Sequence, residues 1–548
     1  VKDLDLHELE QIIDRARTGA LSDADRAKLS QTVATLAWLQ QELATKDVTL
    51  ARLRSLFGLA TSEKTRAVLG DRATGATPAP PTRPAAAVAG PGSGSAAPPK
   101  SKGHGRNGAS DYVGAERIQV LHETLDPGGR CSICPECKRG KVYVLREPRT
   151  LVRVVGQAPV HARIYELQTL RCNLCGEVFT AEPPPGVGDK KYDATAASMI
   201  ALLKYGTGLP FNRLERLQAG LGIPLPAATQ WEIVQEAAQE LAPVHQELIR
   251  QAAQGRLLHN DDTSMQVLAL RQEIARQEAA GETDRTGIFS SSIVAELADG
   301  VRIALFFTGR KHAGENLADL LQQRAAALAA PLQMCDGLDR NLPKEFAVVL
   351  GNCLAHGRRK FVEIVDSFPD ECRFVLETLR EVYCHDAIAR ERGMTDEERL
   401  HHHQEHSGPL LAALECWMAD QIGDKRTEPN SRLGGAIAYM RKRWDKLTLF
   451  LRQAGAPLDN NICERALKKA ILNRKNAYFY KTENGARVGD LFMSLIHTAE
   501  LASENPFDYL TALLEHAAEA RLHPDQWLPW RYRAKLDAEA AARSPPQI

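Results

Sequence analysis

The sequence predicts a multidomain α/β protein whose core is a mixed sheet flanked by helices. Three observations carry that expectation. They are a leucine heptad near the N-terminus, two Cys-x-x-Cys pairs beyond a Pro/Ala/Gly/Ser-rich stretch, and strand-like segments alternating with helix-like ones from Arg256 onward. At 548 residues the chain is too long for one ordinary domain. Hydrophobic residues make up 44% and charged residues 25%, and no apolar run reaches the roughly 20 residues that span a bilayer. The charged opening VKDLDLHELEQIIDRA does not read as a signal peptide, and the eleven cysteines are too sparse for a disulfide scaffold, so a cytoplasmic location is expected.

Residues 1–73 read as a helical region. Leu29, Leu36, Leu43, Leu50 and Phe57 recur every seventh residue, with Leu39 and Leu53 three residues after two of them. This is a short coiled coil over about 29–57 that would make a homodimer or larger assembly, the alternative being an amphipathic helix packed on its own chain. Residues 74–110 (ATPAPPTRPAAAVAGPGSGSAAPPK and its basic end KSKGHGRNG) cannot bury enough apolar surface to fold and read as a flexible linker.

Residues 111–185 read as a zinc-ribbon domain. Cys134 and Cys137 in CSICPECKRG and Cys172 and Cys175 in LRCNLCGEVF sit on turns followed by Gly140 and Gly176. Each turn points two thiolates at one Zn²⁺, and two turns complete a tetrahedron. Cys131 has ligand spacing to Cys134 as well, and whether it joins the site stays open. Residues 186–255 read as three short helices broken at Gly206–Pro210 and Gly222–Pro226, the last two resembling a DNA-binding helix-turn-helix.

From Arg256 the texture turns to strands: RLLHNDDTSMQVLAL, GIFSSSIVAEL and VRIALFFTG. A helix, AGENLADLLQQRAAALAA, comes next, followed by a short strand PLQMCDG, a helix around Asn341–Phe346 and a strand-like VVLGNCLAH. The order βββαβαβ over 256–357 is that of a ribonuclease H-like core. Two acids matter in that architecture, one in the first strand and one at the end of the fourth. Asp336 fills the second place. Asp261 and Asp262 both fit the first, and strand alternation sends them to opposite faces without saying which face is used. Residues 358–457 read as a helical insertion. Its run His401-His402-His403 reads as a solvated face and not as a metal site, because consecutive helix residues diverge. Arg358, Arg359 and Lys360, directly after a strand, are candidates for phosphate contact.

The third carboxylate is expected in 458–500. In LDNNICERALKKAILNRKN, Asp459 or Asn460 caps a helix with an apolar stripe of Ile462, Cys463, Ala466, Leu467, Ala470 and Ile471, and Glu464 lies at its edge. Net charge is zero overall, yet Arg465, Lys468, Lys469, Arg474 and Lys475, with Asn476, form a basic surround suited to DNA. Tyr478, Phe479 and Tyr480 read as core residues before base-stacking ones. Residues 501–548 read as a C-terminal helical tail.

The segments NDDTSMQVL, MCDG, CLAHGRRKF, LDNNICERALKK and NRKNAYFY, together with LFGLATSEK, GHGR, NPFDYL and WLPW, resemble in this order the motifs of the insertion sequence 66 family of bacterial transposases. The resemblance implies an Asp-Asp-Glu DNA transposase with catalytic metal ligands Asp261, Asp336 and Glu464, holding two Mg²⁺ or Mn²⁺ ions per active site. It also implies double-stranded DNA partners (element ends and target), a nucleoid-associated cytoplasmic protein, and small accessory proteins in some members. Departures are Asp262 where the family usually has Glu, Gly337-Leu338-Asp339-Arg340 where its second motif usually continues into aromatic residues, and Leu354 where it commonly has Trp. Two other readings remain at this stage: a catalytically inactive zinc-ribbon regulator, and a metal-dependent nuclease without strand transfer.

Overall fold

The computed structural model describes residues 157–543 apart from 172, 174–177, 189, 283 and 284, together with residues 22, 25 and 150. The expected coiled coil, the linker and the four zinc-ligand cysteines lie outside the described residues. The chain forms two compact units, 76–161 and the remainder, and the second holds every strand and helix from residue 169 onward.

Strands β1 (Thr169–Arg171) and β2 (Val178–Thr180) form an antiparallel hairpin in register Thr169↔Thr180. Helix α1 (Ala194–Ala201) starts at Asp193, whose carboxylate accepts from Ala196 N at 2.9 Å, and widens into a π-turn at Leu202–Gly206. α2 (Phe211–Gly220) and α3 (Ala227–Ala252) follow. α3 is not the short helix expected. It runs through Pro243 because the apolar spacing Leu241, Val244, Leu248, Ala252 continues across the proline, whose missing N–H removes a single backbone bond.

The core is a five-stranded mixed sheet in the order β5-β4-β3-β6-β7. β3 (Leu257–Ser264), β4 (Phe289–Glu296) and β5 (Arg302–Gly309) are antiparallel, and β6 (Leu332–Cys335) and β7 (Val349–Asn352) run parallel to β3. Between β3 and β4 stands a helix the sequence pattern hid, α4 (Leu268–Ala279). The strand-like text QVLAL is divided at Val267, which bridges to Tyr480 while Leu268 N–H donates to Tyr480 O, and the helix begins there. α5 (Ala313–Leu321) precedes β6. The helix expected around Asn341–Phe346 is only a 3₁₀ turn, Asp339–Asn341, because Leu342 precedes Pro343 and is held extended.

The insertion comprises α6 (Leu354–Val362), α7 (Pro369–Glu391), α8 (Asp396–His406), α9 (Gly408–Gly423), α10 (Arg432–Lys442) and the single turn α11 (Trp444–Leu447). It has its own core, including Phe361, Leu376, Leu414 and Met440. Arg358, Arg359 and Lys360 therefore lie within a helix and not directly after a strand. The histidine run is not a uniformly solvated face either. His403 is buried, with Nε2 3.3 Å from Asp386 Oδ1 and Nδ1 3.0 Å from Ser407 Oγ. Asp386 also pairs with Arg399 at 2.7 Å, so one acid ties α7 to α8.

Helix α12 (Asn461–Ala477) packs on one face of the sheet, α5 on the other. α13 (Glu483–Leu501) lies along the edge strand β5. Three of its side chains, Asp490, Ser494 and Thr498, accept from the N–H groups of Thr308, Phe306 and Ala304 at 2.7, 3.0 and 3.1 Å. Buried edge amides that would otherwise lack partners are thus satisfied by a helix. α14 (Pro506–Glu515), α15 (Ala517–Leu522) and α16 (Tyr532–Arg543) complete the described residues.

Candidate active site

β3 presents Asp261 and Asp262 to opposite faces, and their surroundings differ completely. Asp262 is buried and engaged: Oδ2 lies 2.9 Å from His312 Nδ1 at the start of α5, and Oδ1 lies 3.2 Å from Arg340. Asp261 faces α12. Its carboxyl is pushed up to about 7, first by burial and then by the charges of Asp336, Asp262 and Glu464, against the one opposing bond from Asp262 N–H at 2.8 Å.

The sheet register explains why Asp336 is so near. β3 and β6 are parallel with His259 beside Met334. Two residues further along both strands, Asp261 and Asp336 fall side by side on the same face. Asp336 leaves β6 at Gly337, whose φ of +80° is a backbone conformation that residues with a Cβ rarely adopt. Asp336 Oδ1 accepts from Leu338 N at 3.0 Å and Asn341 Nδ2 at 2.7 Å. The insertion also holds this turn, through Tyr439 OH donating to Asp336 O at 3.2 Å and Arg443 donating to Gly337 O.

Glu464 stands in the first turn of α12, placed by Asn460. That fully buried residue has Oδ1 2.9 Å from His259 Nδ1, donates Nδ2 to Asn260 O at 3.1 Å, and donates its N–H to Cys353 Sγ at 3.3 Å. Asn460 occupies the cap position but its side chain pins the helix start to β3; the Asp459 carboxylate accepts from Asn461 N instead. Glu464 Oε1 is buried with no hydrogen-bond partner among the described residues. His356 Nδ1, at 3.7 Å, is likewise buried without one. Cys353, His356 and Glu464 each offer a ligand atom, and these lie within 4.8 Å of one another. Burial pushes the Cys335 and Cys353 thiols up to about 12, so both are neutral near pH 7.

The structure therefore brings Asp261, Asp336 and Glu464 together. A carboxyl raised first by burial and then by its acidic neighbours, and an unpartnered buried carboxylate oxygen, are the signs of uncompensated negative charge, and hard oxygen donors of this kind fit a divalent cation.

The candidate basic residues separate. Arg465, Lys468 and Lys475 are exposed on α12. Lys469 is paired with Glu500 at 2.8 Å, and Arg474 reaches Thr263 Oγ1 at 3.0 Å, so both serve inside the chain. Lys360 Nζ lies 5.8 Å from the centre of the Tyr439 ring, and Asn476 packs beside Gly208. Tyr480 is buried as expected, whereas Tyr478 and Phe479 are 68% and 46% exposed on a tight turn with φ +69° at Tyr478. Sequence reasoning did not single out His356 or Tyr439, counted Arg443 only among the basic residues between 430 and 490, and saw in Asn460 only a helix cap. His356 alone had a visible signal, its place inside CLAHGRRKF.

The chain that carries this site is a transposase. Residues 190–488, more than half of it, match the family model described as Transposase IS66 family, and the chain belongs to that family. It is similar to uncharacterized protein y4jD of Sinorhizobium fredii, 29% identical over 390 residues that cover 68% of this chain and 72% of that one. Uncharacterized protein y4hP of the same organism is 27% identical over 441 residues, covering 76% and 75%. Membership brings a DNA-processing activity, binding to DNA and a general use of divalent metal ions. No helix among the described residues is long and apolar enough to cross a membrane.

Proposed function

We propose that this chain is an Asp-Asp-Glu transposase that binds the ends of a mobile element, cleaves them to free 3′-hydroxyls and joins these to target DNA. The observation that carries the reading is the convergence of Asp261, Asp336 and Glu464 from a strand, a strand end and a helix start on one face of the sheet. Three antiparallel strands followed by two parallel ones support a ribonuclease H-like core. Two divalent ions, Mg²⁺ or Mn²⁺, held by the three acids would bind the attacking and leaving oxygens of an in-line phosphoryl displacement. The chain's own part is positioning. Asn341 and the Leu338 N–H orient Asp336, Asn460 sets where Glu464 begins, and Arg465, Lys468, Lys475 and Lys360 offer exposed cations to the DNA backbone, with Arg358 and Arg359, half-buried on α6, as further contacts. In each step one P–O bond forms as another breaks. Water first releases the element's 3′-hydroxyl, and that hydroxyl then displaces a 3′-oxygen in the target.

Around this centre we assign residues 1–73 to a helical region with a dimerising coiled coil at about 29–57, 74–110 to a flexible linker, 111–185 to a zinc ribbon held by Cys134, Cys137, Cys172 and Cys175, and 186–255 to helical, helix-turn-helix-like DNA binding. Residues 256–357 and 458–500 form the core, 358–457 the insertion and 501–548 the tail. The test is incubation of the full chain with a labelled element end, a target plasmid and Mg²⁺. Wild-type protein yields cleaved ends and joined product, while Asp336→Asn binds ends and yields neither. Normal cleavage by that variant would overturn the triad, and cleavage without joining in the wild type would make the protein a nuclease.

A further inference from the structure

We propose that His356 Nδ1 is a ligand of the divalent ion bound by Glu464, giving that ion a mixed oxygen and nitrogen shell and the centre a preference for Mn²⁺ over Mg²⁺. This rests on the triad reading and goes beyond it.

Two polar atoms, Glu464 Oε1 and His356 Nδ1, face each other at 3.7 Å, each buried and each without a hydrogen-bond partner. That distance is too long for a hydrogen bond, and leaving both atoms dry is costly. Neither is loosely placed. Cys353, three residues before His356, donates its N–H to Cys335 O at 2.9 Å, its Sγ accepts from Asn460 N at 3.3 Å, and Leu354 N–H donates to Leu458 O at 2.9 Å. The start of α6 is thereby locked both to β6, which ends beside Asp336, and to the residues that open α12. The two side chains are presented to one point by a frame that keeps them from drifting apart.

Nitrogen and oxygen ligands lie about 2.0–2.2 Å from a divalent transition ion, so two that share an ion are roughly 3.0–3.5 Å apart. The observed gap exceeds this by a few tenths of an ångström, within reach of small side-chain rotations. First-row divalent ions accept an imidazole nitrogen more readily than Mg²⁺ does, and Mn²⁺, although the weakest of that series and otherwise an oxygen-ligand ion like Mg²⁺, shares this difference, whereas Mg²⁺ favours an all-oxygen shell. Cys353 Sγ lies in the same cluster but is already engaged by the Asn460 N–H, and it serves as the clamp.

The experiment is Mn²⁺ titration of the full chain, followed by electron paramagnetic resonance with detection of nitrogen-14 couplings. Wild-type protein is expected to show a nitrogen coupling on bound Mn²⁺. His356→Ala and the bulkier His356→Gln should lose it, with Mn²⁺ affinity falling at least about tenfold and Mg²⁺ affinity, read by competition, changing less than about twofold. Absence of the coupling in wild type, or its persistence in either variant, overturns the proposal whatever the variants' stability. Asp336→Asn separates the two readings. Mn²⁺ binding that needs Asp336 but ignores His356 sinks the histidine ligand alone, and binding that ignores both sinks the triad with it.

Discussion

Asp261 and Asp262 are neighbours in sequence and opposites in environment. On one face of β3, Asp262 is enclosed by the His312 imidazole and the charged guanidinium of Arg340. On the other, Asp261 is surrounded by acids and its carboxyl is driven up to about 7. A buried acid whose charge is balanced by the chain is holding the fold together. One whose charge is left unbalanced stores unfavourable energy that only something from outside can relieve. The same contrast separates the sheet from the insertion. Burial acts to raise the Asp386 carboxyl, but the His403 hydrogen bond and the charges of Arg399 and Arg390 outweigh it and hold it near 2.

The sharpest way to break this comparison is to neutralise each neighbour in turn. On the proposed triad, Asp261→Asn should lower Mg²⁺-dependent end cleavage by roughly a thousandfold or more, since a proposed metal ligand is lost. The metal-free protein should be as stable as wild type or more so by up to about 1 kcal/mol, because like charges are relieved. Equal cleavage by the variant would remove Asp261 from the site. Asp262→Ala should do the reverse to stability. It leaves Arg340 and His312 without their acid and should cost about 2 kcal/mol, discounted for the half-exposed arginine, as measured by denaturant unfolding. An unchanged midpoint would show that the pairing on that face does not hold the fold.

A further test lies in the pH dependence. Asp490, buried against Thr308, is pushed up to about 7 by burial, against the lowering hydrogen bonds from Thr308. A folded value above the unfolded one means that its contribution is complete below about pH 4 and is lost as pH rises to about 7. Asp386 has the opposite sign: its contribution is present above about pH 4 and is lost as pH falls toward 2. Asp490→Asn keeps an acceptor for the Thr308 N–H and should flatten the decline between pH 4 and 7 by roughly 1–3 kcal/mol. Unfolding curves collected across that range would show the slope surviving if another group is responsible.

Much of this site is legible in the sequence, and for a physical reason. Asp336 ends a strand at a glycine and Glu464 borders an apolar helical stripe, and both are local patterns. The division of labour between Asp261 and Asp262 is not, since both faces of β3 are covered. What distinguishes them comes from His312, Arg340 and Asn460, at least 50 residues distant in each case. The pairing of Glu464 with His356 is likewise long-range. The hidden helix α4 and the false helix near Asn341 have simpler causes. An apolar run reads equally as strand or helix until a bridge such as Val267 to Tyr480 divides it, and a single proline, Pro343, outweighs the helical pattern around it.

The three contacts from α13 to β5 have a numerical consequence. Four helical residues advance about 6.0 Å, whereas two strand residues advance about 6.7 Å. Asp490, Ser494 and Thr498 therefore act as a vernier against Thr308, Phe306 and Ala304, slipping by about 0.7 Å at each rung. Three short side chains can absorb that slip, and a fourth rung would fall out of reach. The length over which a helix can replace a neighbouring strand is thus set by two repeat distances that do not match. A single residue inserted into α13 between Asp490 and Thr498 would turn the later rungs by about 100° and unhook them together.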